Sequence, residues 1–120
     1  MVSLIVRIST YAKARAPGLL VFPNNSPELQ DYPGYTKAID GIGMESLFFL
    51  PGDIPCTDPY CETNLAAARA LRNAGKAVLA IDYANKPGNV AALCRRYREE
   101  HFIGYVAPDA LNTIRPACPS

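Results

Sequence analysis

Residues 75–106, GKAVLAIDYANKPGNVAALCRRYREEHFIGYV, hold a strand, a turn, a helix and a second strand in that order. The run Ala77 to Tyr83 is almost continuously apolar and follows a glycine, as a strand buried on both faces requires. Pro87-Gly88-Asn89 turns into a helix with Val90, Leu93, Cys94 and Tyr97 at i, i+3, i+4 and i+7. A second apolar run then covers residues 102–106. A strand–helix–strand order implies a right-handed crossover and a parallel pair.

The same grammar extends towards the N-terminus. Leu65 to Ala74 is alanine- and leucine-rich, capped by Thr63 or Asn64 and closed by Gly75, so a helix is expected over 64–74. Residues 39–45 (IDGIGME) form a further strand candidate whose glycines permit close approach of neighbouring backbone. Residues 49–62, with Pro51, Pro55 and Pro59, are expected as a long loop. A short apolar run at 19–22 ends at Pro23-Asn24-Asn25 and reads as the first strand. Ser26 then caps a short helix within 27–38, with Pro27 at its first position. Leu4, Ile5, Ile8, Tyr11 and Ala12 fall at helical spacing, so residues 2–15 open the chain as a helix, stopped by Pro17-Gly18. The expected architecture is one α/β domain over residues 1–120. Its strands lie near 19–22, 39–45, 77–83 and 102–106, and its helices near 2–15, 27–38, 64–74 and 89–100.

Composition narrows the function classes. With 49% hydrophobic and 19% charged residues, the 120-residue chain is of ordinary globular make-up. A net charge of +1 without a basic stripe argues against a nucleic-acid partner, since Arg95, Arg96 and Arg98 are followed at once by Glu99 and Glu100. No apolar run reaches the roughly 20 residues that span a bilayer, so no membrane role is expected. Residues 1–15 do not read as a signal peptide. The four cysteines match no zinc spacing, and His101 is the only histidine, so neither metal nor cofactor is expected. Disulfides are favoured over free thiols. Cys56 and Cys61 are the easiest pair, which leaves Cys94 with Cys118 and implies a non-reducing compartment.

In parallel α/β folds, ligands collect at the carboxyl ends of the strands. That rule selects Asn24, Glu45, Asp82 with Tyr83, and Tyr105. Carboxylates, an amide and phenols suit a sugar, since they supply proton transfer, hydrogen bonds to hydroxyls and stacking platforms. Each has a plainer alternative. Asn24 can shape a turn, Asp82 can brace a loop or cap a helix, and the tyrosines can be packing residues. Glu45 ends an apolar strand, where a carboxylate is costly unless paired or exposed. Asp40 precedes its strand, which favours a structural role, and Asp53, Asp58 and Glu62 read as solvated loop acids. No glycine loop for phosphate is present, which lowers a flavodoxin-like binding domain with an unrelated ligand.

Four segments, FPNNSPEL (22–29), IDGIGMESLFF (39–49), GKAVLAIDY (75–83) and FIGYV (102–106), resemble in order the later strands of the endo-α-1,4-polygalactosaminidase family, glycoside hydrolase family 114. The resemblance implies the C-terminal half of a (β/α)8 TIM barrel, incomplete at about four strands. It implies hydrolysis of a galactosamine-type polysaccharide by an acid pair, outside the cell or in the periplasm. Glu45 matches the later catalytic carboxylate, the general acid/base, while Asn24 and Tyr83 match polar rim positions. The other acid belongs to an earlier strand for which this sequence has no counterpart. The expectation is therefore a truncated hydrolase, completed by a missing N-terminal half or by a homodimer, with a non-catalytic carbohydrate-binding partial barrel as the alternative.

Overall fold

The computed structural model describes residues 1–119. In chain order its elements are α1 (Val2–Arg15), a 3-10 turn (Pro27–Asp31), α2 (Tyr35–Ala38), β1 (Gly41–Glu45), β2 (Phe49–Leu50), β3 (Ile54–Pro55), α3 (Pro59–Asn73), β4 (Ala77–Tyr83), α4 (Pro87–Glu100) and β5 (Ile103–Ala107). β1, β4 and β5 form one parallel sheet in that order, with Glu45 beside Ile81 and Ile81 beside Tyr105. Strands alternate with helices, and the architecture is that of part of a TIM barrel.

The segment expected as a first strand at 19–22 lies alongside β1 but forms no ladder. Its one bridge is shifted to Asn24, parallel to Gly43. Gly43 N–H donates to the Pro23 carbonyl at 2.8 Å and Asn25 N–H to the Gly43 carbonyl at 2.7 Å. Pro23 has no N–H to continue this pattern towards Gly41. Further back, Asp40 takes over: its N–H donates to the Val21 carbonyl (2.9 Å) while its carboxylate accepts Val21 N–H (2.7 Å). Lys13 of α1 reaches that carboxylate at 2.8 Å, and together Lys13 and the Val21 N–H hold the Asp40 pKa below its usual value. Asp40 is the structural group its position suggested.

Other boundaries differ for local reasons. The expected helix over 27–38 is split, because Gly34 (φ +87°) breaks it after Tyr32-Pro33. Ser26 is itself left-handed (φ +56°) and caps nothing with its side chain. The expected loop over 49–62 contains a small antiparallel pair, β2 with β3, and the first turn of α3. α3 starts at Pro59 rather than near Asn64, since proline fits the first helical turn. Cys61 in that turn is bonded to Cys56, and Cys94 of α4 to Cys118 of the tail.

Burial divides the sheet into two unlike faces. Ile42, Met44, Val78, Ala80 and Val106 point to the helices and pack with Tyr35, Ala68, Leu71, Leu93 and Tyr97. Each fully buried aliphatic side chain contributes about 1.5–3 kcal/mol, so this helix-side layer holds the unit together. The alternate residues, Gly43, Glu45, Leu79, Ile81, Ile103 and Tyr105, point to the concave side and are less covered. Glu100, almost fully buried, ties α4 to α3 by accepting Arg69 Nε at 2.8 Å and Arg72 Nη1 at 3.0 Å.

Gly104 lies directly beneath the Tyr97 ring, and a Cβ there would overlap the ring carbons. Gly104→Ala therefore pushes Tyr97 off its seat and is expected to cost about 1–3 kcal/mol of stability. Chemical denaturation measures it; an unchanged midpoint would show that the ring has room to move.

Candidate active site

The concave rim at the carboxyl end of β1 carries Glu45. Two consecutive amides of the preceding segment hold it. Asn25 Oδ1 accepts the Glu45 backbone N–H at 3.0 Å, and Asn24 Nδ2 reaches Glu45 Oε1 at 3.5 Å. Asn24 can swing over because Gly43 beneath it has no side chain: a Cβ at Gly43 would stand 3.0 Å from Asn24 Oδ1. On the other side, Ser46 N–H donates to the Ile81 carbonyl of β4 at 2.9 Å. The backbone of Glu45 is thus pinned between two neighbours while its carboxylate stays exposed.

Tyr83 ends β4 on the same face. Burial first, and then the nearby Glu45 carboxylate, raise the pKa of its phenol. The phenol is therefore a hydrogen-bond donor at neutral pH, beside a carboxylate that accepts. Tyr105 lies in the same cross-strand row as Glu45, and its hydroxyl accepts the Arg115 N–H at 2.8 Å from the C-terminal tail. Asn24, Glu45, Tyr83 and Tyr105 therefore share one face.

Asp82 does not join them. One residue before Tyr83, it points to the helix side and is fully buried. Its Oδ1 accepts the N–H groups of Phe48 (2.7 Å) and Phe49 (2.9 Å), and its Oδ2 accepts the Tyr97 hydroxyl (2.8 Å). Every one of these contacts is internal, so the loop-bracing alternative describes it. Asp53, expected as a solvated acid, is also engaged. It accepts the Lys86 N–H (3.0 Å) and Asn89 Nδ2 (2.9 Å) at the start of α4. The functional neighbour missed from sequence is Asn25, since nothing in Pro23-Asn-Asn-Ser says which amide serves the backbone and which the carboxylate.

No protein-family model matches the chain. An uncharacterized protein of Deinococcus radiodurans is 31% identical over 114 residues, covering 95% of this chain and 37% of that protein. An uncharacterized protein of Thermotoga maritima is 27% identical over 85 residues, covering 69% and 26%. Among solved structures, the glycoside hydrolase domain of PelA from Pseudomonas aeruginosa superposes with a TM-score of 0.67 at 23% identity, over 93% of this chain and 46% of that one. A variant of that domain, with one glutamate changed to alanine, gives 0.66 at 22% identity. The fold is glycoside-hydrolase-like. The chain spans less than half the length of each of these proteins.

Burial outweighs the donors from Phe49, Phe48 and Tyr97 and raises the Asp82 pKa above the ordinary aspartate value. A carboxyl raised in the folded state favours folding below its unfolded pKa, and that contribution is lost as pH climbs through the folded value. From about pH 4 upward, the wild type should therefore lose unfolding free energy relative to Asp82→Asn, which cannot titrate. Denaturant titrations at stepped pH read the difference; parallel profiles would mean that Asp82 titrates normally.

Proposed function

We propose that Glu45 is the general acid/base of a glycoside hydrolase acting on a galactosamine-type, α-1,4-linked polysaccharide outside the cell or in the periplasm. The observation that carries this reading is the mounting of Glu45: an exposed carboxylate with a fixed backbone, at a strand end on the concave face of a glycoside-hydrolase-like fold. Asn24 and Tyr83 present an amide and a phenol beside it, suited to sugar hydroxyls. Tyr105 adds an aromatic wall in the same row. The two disulfides suit an oxidising compartment.

Glycoside hydrolysis by an acid pair takes two carboxyl groups, about 5 Å apart for retention or about 6.5–9.5 Å for inversion. The other acids near this end of the sheet are committed elsewhere: Asp82 inside the core, Asp53 at α4, and Asp109 on the Gly52 N–H. The second carboxyl of the reaction therefore comes from strands beyond these residues, and the chain is the acid/base part of a larger barrel. The same lack favours a second reading, in which the unit by itself binds carbohydrate without cleaving it.

Grafting the chain into the D. radiodurans relative, in place of the matching 114 residues, sets it in a longer protein for the test. The graft is expected to release reducing ends from α-1,4-polygalactosamine. Glu45→Gln should lower that turnover by about 10²–10⁴-fold while the protein is still retained on the polymer. Unchanged turnover in Glu45→Gln removes Glu45 from the acid/base role, and retention without any cleavage by the graft favours the binding reading.

A further inference from the structure

α3 and α4 are clamped together at their C-terminal ends, where Glu100 accepts Arg69 and Arg72. Nearer the start of α3 they border a cavity of about 430 Å³. It lies on the helix side of the sheet, between elements that all belong to this chain. Leu47 and Phe48, both buried, form its floor. Leu65 of α3, Ala92 of α4 and the Cys56–Cys61 bond form its walls. Small-molecule sites occupy roughly 300–1,000 Å³, so a small apolar body has room there.

The charges at its mouth give the cavity a preference. Arg95 and Arg96 of α4 both border it. The other arginines of the two helices are engaged, Arg69 and Arg72 on Glu100 and Arg98 on the Pro119 carbonyl. Among the described residues, Arg95 and Arg96 donate to no protein acceptor and pair with no acid. Arg96 lies instead over the Phe48 ring, its guanidinium carbon 4.3 Å from the ring centroid. Stacking holds a guanidinium by its face and leaves its in-plane N–H groups for an oxygen ligand. Exposed Glu62 of α3 also borders the cavity and pairs with neither arginine. Two guanidinium groups against one carboxylate leave a single excess positive charge.

We propose that the cavity between α3 and α4 binds a small organic monoanion. Its flat apolar body rests on Leu47 and Phe48, and its carboxylate is held by Arg95 and Arg96. A planar carboxylate matches the guanidinium fork and balances the one excess charge. A phosphate dianion carries more charge than the site balances and faces Glu62. The site lies apart from the concave rim and does not rest on the role of Glu45. It shares a segment with that rim, because Leu47 and Phe48 follow Glu45 in the loop that Asp82 braces.

Phenylacetate is a suitable probe, with phenylacetamide as its neutral counterpart, both followed on the full chain by NMR shifts. Phenylacetate is expected to saturate with a Kd of about 1 mM or below. It should move the signals of Leu47, Phe48, Leu65 and Ala92 and leave Tyr105 on the concave face unmoved. Arg95→Gln and Arg96→Gln should each weaken binding by about tenfold or more. Glu62→Gln should tighten it by about two- to fivefold. Arg7→Gln, which removes the same charge from α1, should change nothing. Three results overturn the proposal. Phenylacetamide binding as tightly as phenylacetate makes the cavity an apolar groove with no anion site. Inorganic phosphate moving the same signals at equal concentration reduces it to a basic patch. Absence of saturable shifts at those four residues, in a chain whose spectrum shows it folded, rules the site out.

Discussion

Asp82 sits where three pieces of the fold meet, and its two carboxylate oxygens decide how they meet. One oxygen gathers the backbone N–H groups of Phe48 and Phe49, fixing the exit of the chain after β1. The other takes the Tyr97 hydroxyl and so fixes α4 against the sheet. Tyr97 can come that close only because Gly104 offers no side chain. A buried carboxyl is costly to desolvate and tolerable only when its acceptor sites are filled, so the arrangement is interdependent. Loosening any donor leaves a buried acid short of partners, and the path of the loop behind Glu45 loses its anchor. The position of the candidate active residue is thus set in part by an acid on the opposite face of the sheet.

Alternation along each strand then allocates chemistry. Residues paired side by side in a parallel sheet point to the same face, so Glu45, Ile81 and Tyr105 form one row, with Tyr83 one step further along β4. The apolar helix-side residues do the folding, and the concave face is left free to carry glycines, a carboxylate and phenols. This division explains how the unit has a well-packed layer although its other face is open. It also explains why the concave side holds exposed Leu79 and Ile103 beside the polar rim: in a closed barrel such residues fill the interior layers.

Much of this was legible in the sequence because the periodicities are strong. The run at 77–83 and the i, i+3, i+4, i+7 pattern after Pro87 place β4 and α4 almost to the residue. The strand-end rule selects Glu45, Asn24, Tyr83 and Tyr105, which the structure puts on one face, and Asp82, which it does not, because the rule ignores parity: Tyr83 and Asp82 are adjacent and must face opposite ways. Pro23 reads as the end of a strand, whereas its missing N–H also prevents the strand from laddering. In sequence, Cys56 to Glu62 looks like loop, with Pro59 and a cysteine at each side, which hides the true start of α3 at Pro59. Proline belongs in a first helical turn as readily as in a loop, and only tertiary contacts separate the two. Asn25 could not be singled out, because its role depends on a left-handed backbone (φ +60°) that no neighbouring residue type demands.

The rim makes a further point about how such a site is assembled. Glu45 is not held by its own strand alone. The segment at 19–25 supplies both amides, β4 supplies Tyr83 and the carbonyl that receives Ser46, and β5 supplies Tyr105. The amide and carbonyl contacts each cross from one strand to its neighbour, and Tyr105 stands two strands away in the same row, so the geometry around the carboxylate is a property of the parallel register and survives only while the register does. Gly43 is the hinge of that dependence. A Cβ there would stand on the concave face 3.0 Å from Asn24 Oδ1, so the amide would have to give by a few tenths of an ångström where it reaches the Glu45 carboxylate. The bare glycine that weakens β1 as an isolated strand is what lets the neighbouring segment reach across it, and the sheet, closed on its helix side by Asp82 and Tyr97, is what keeps that weak strand in place.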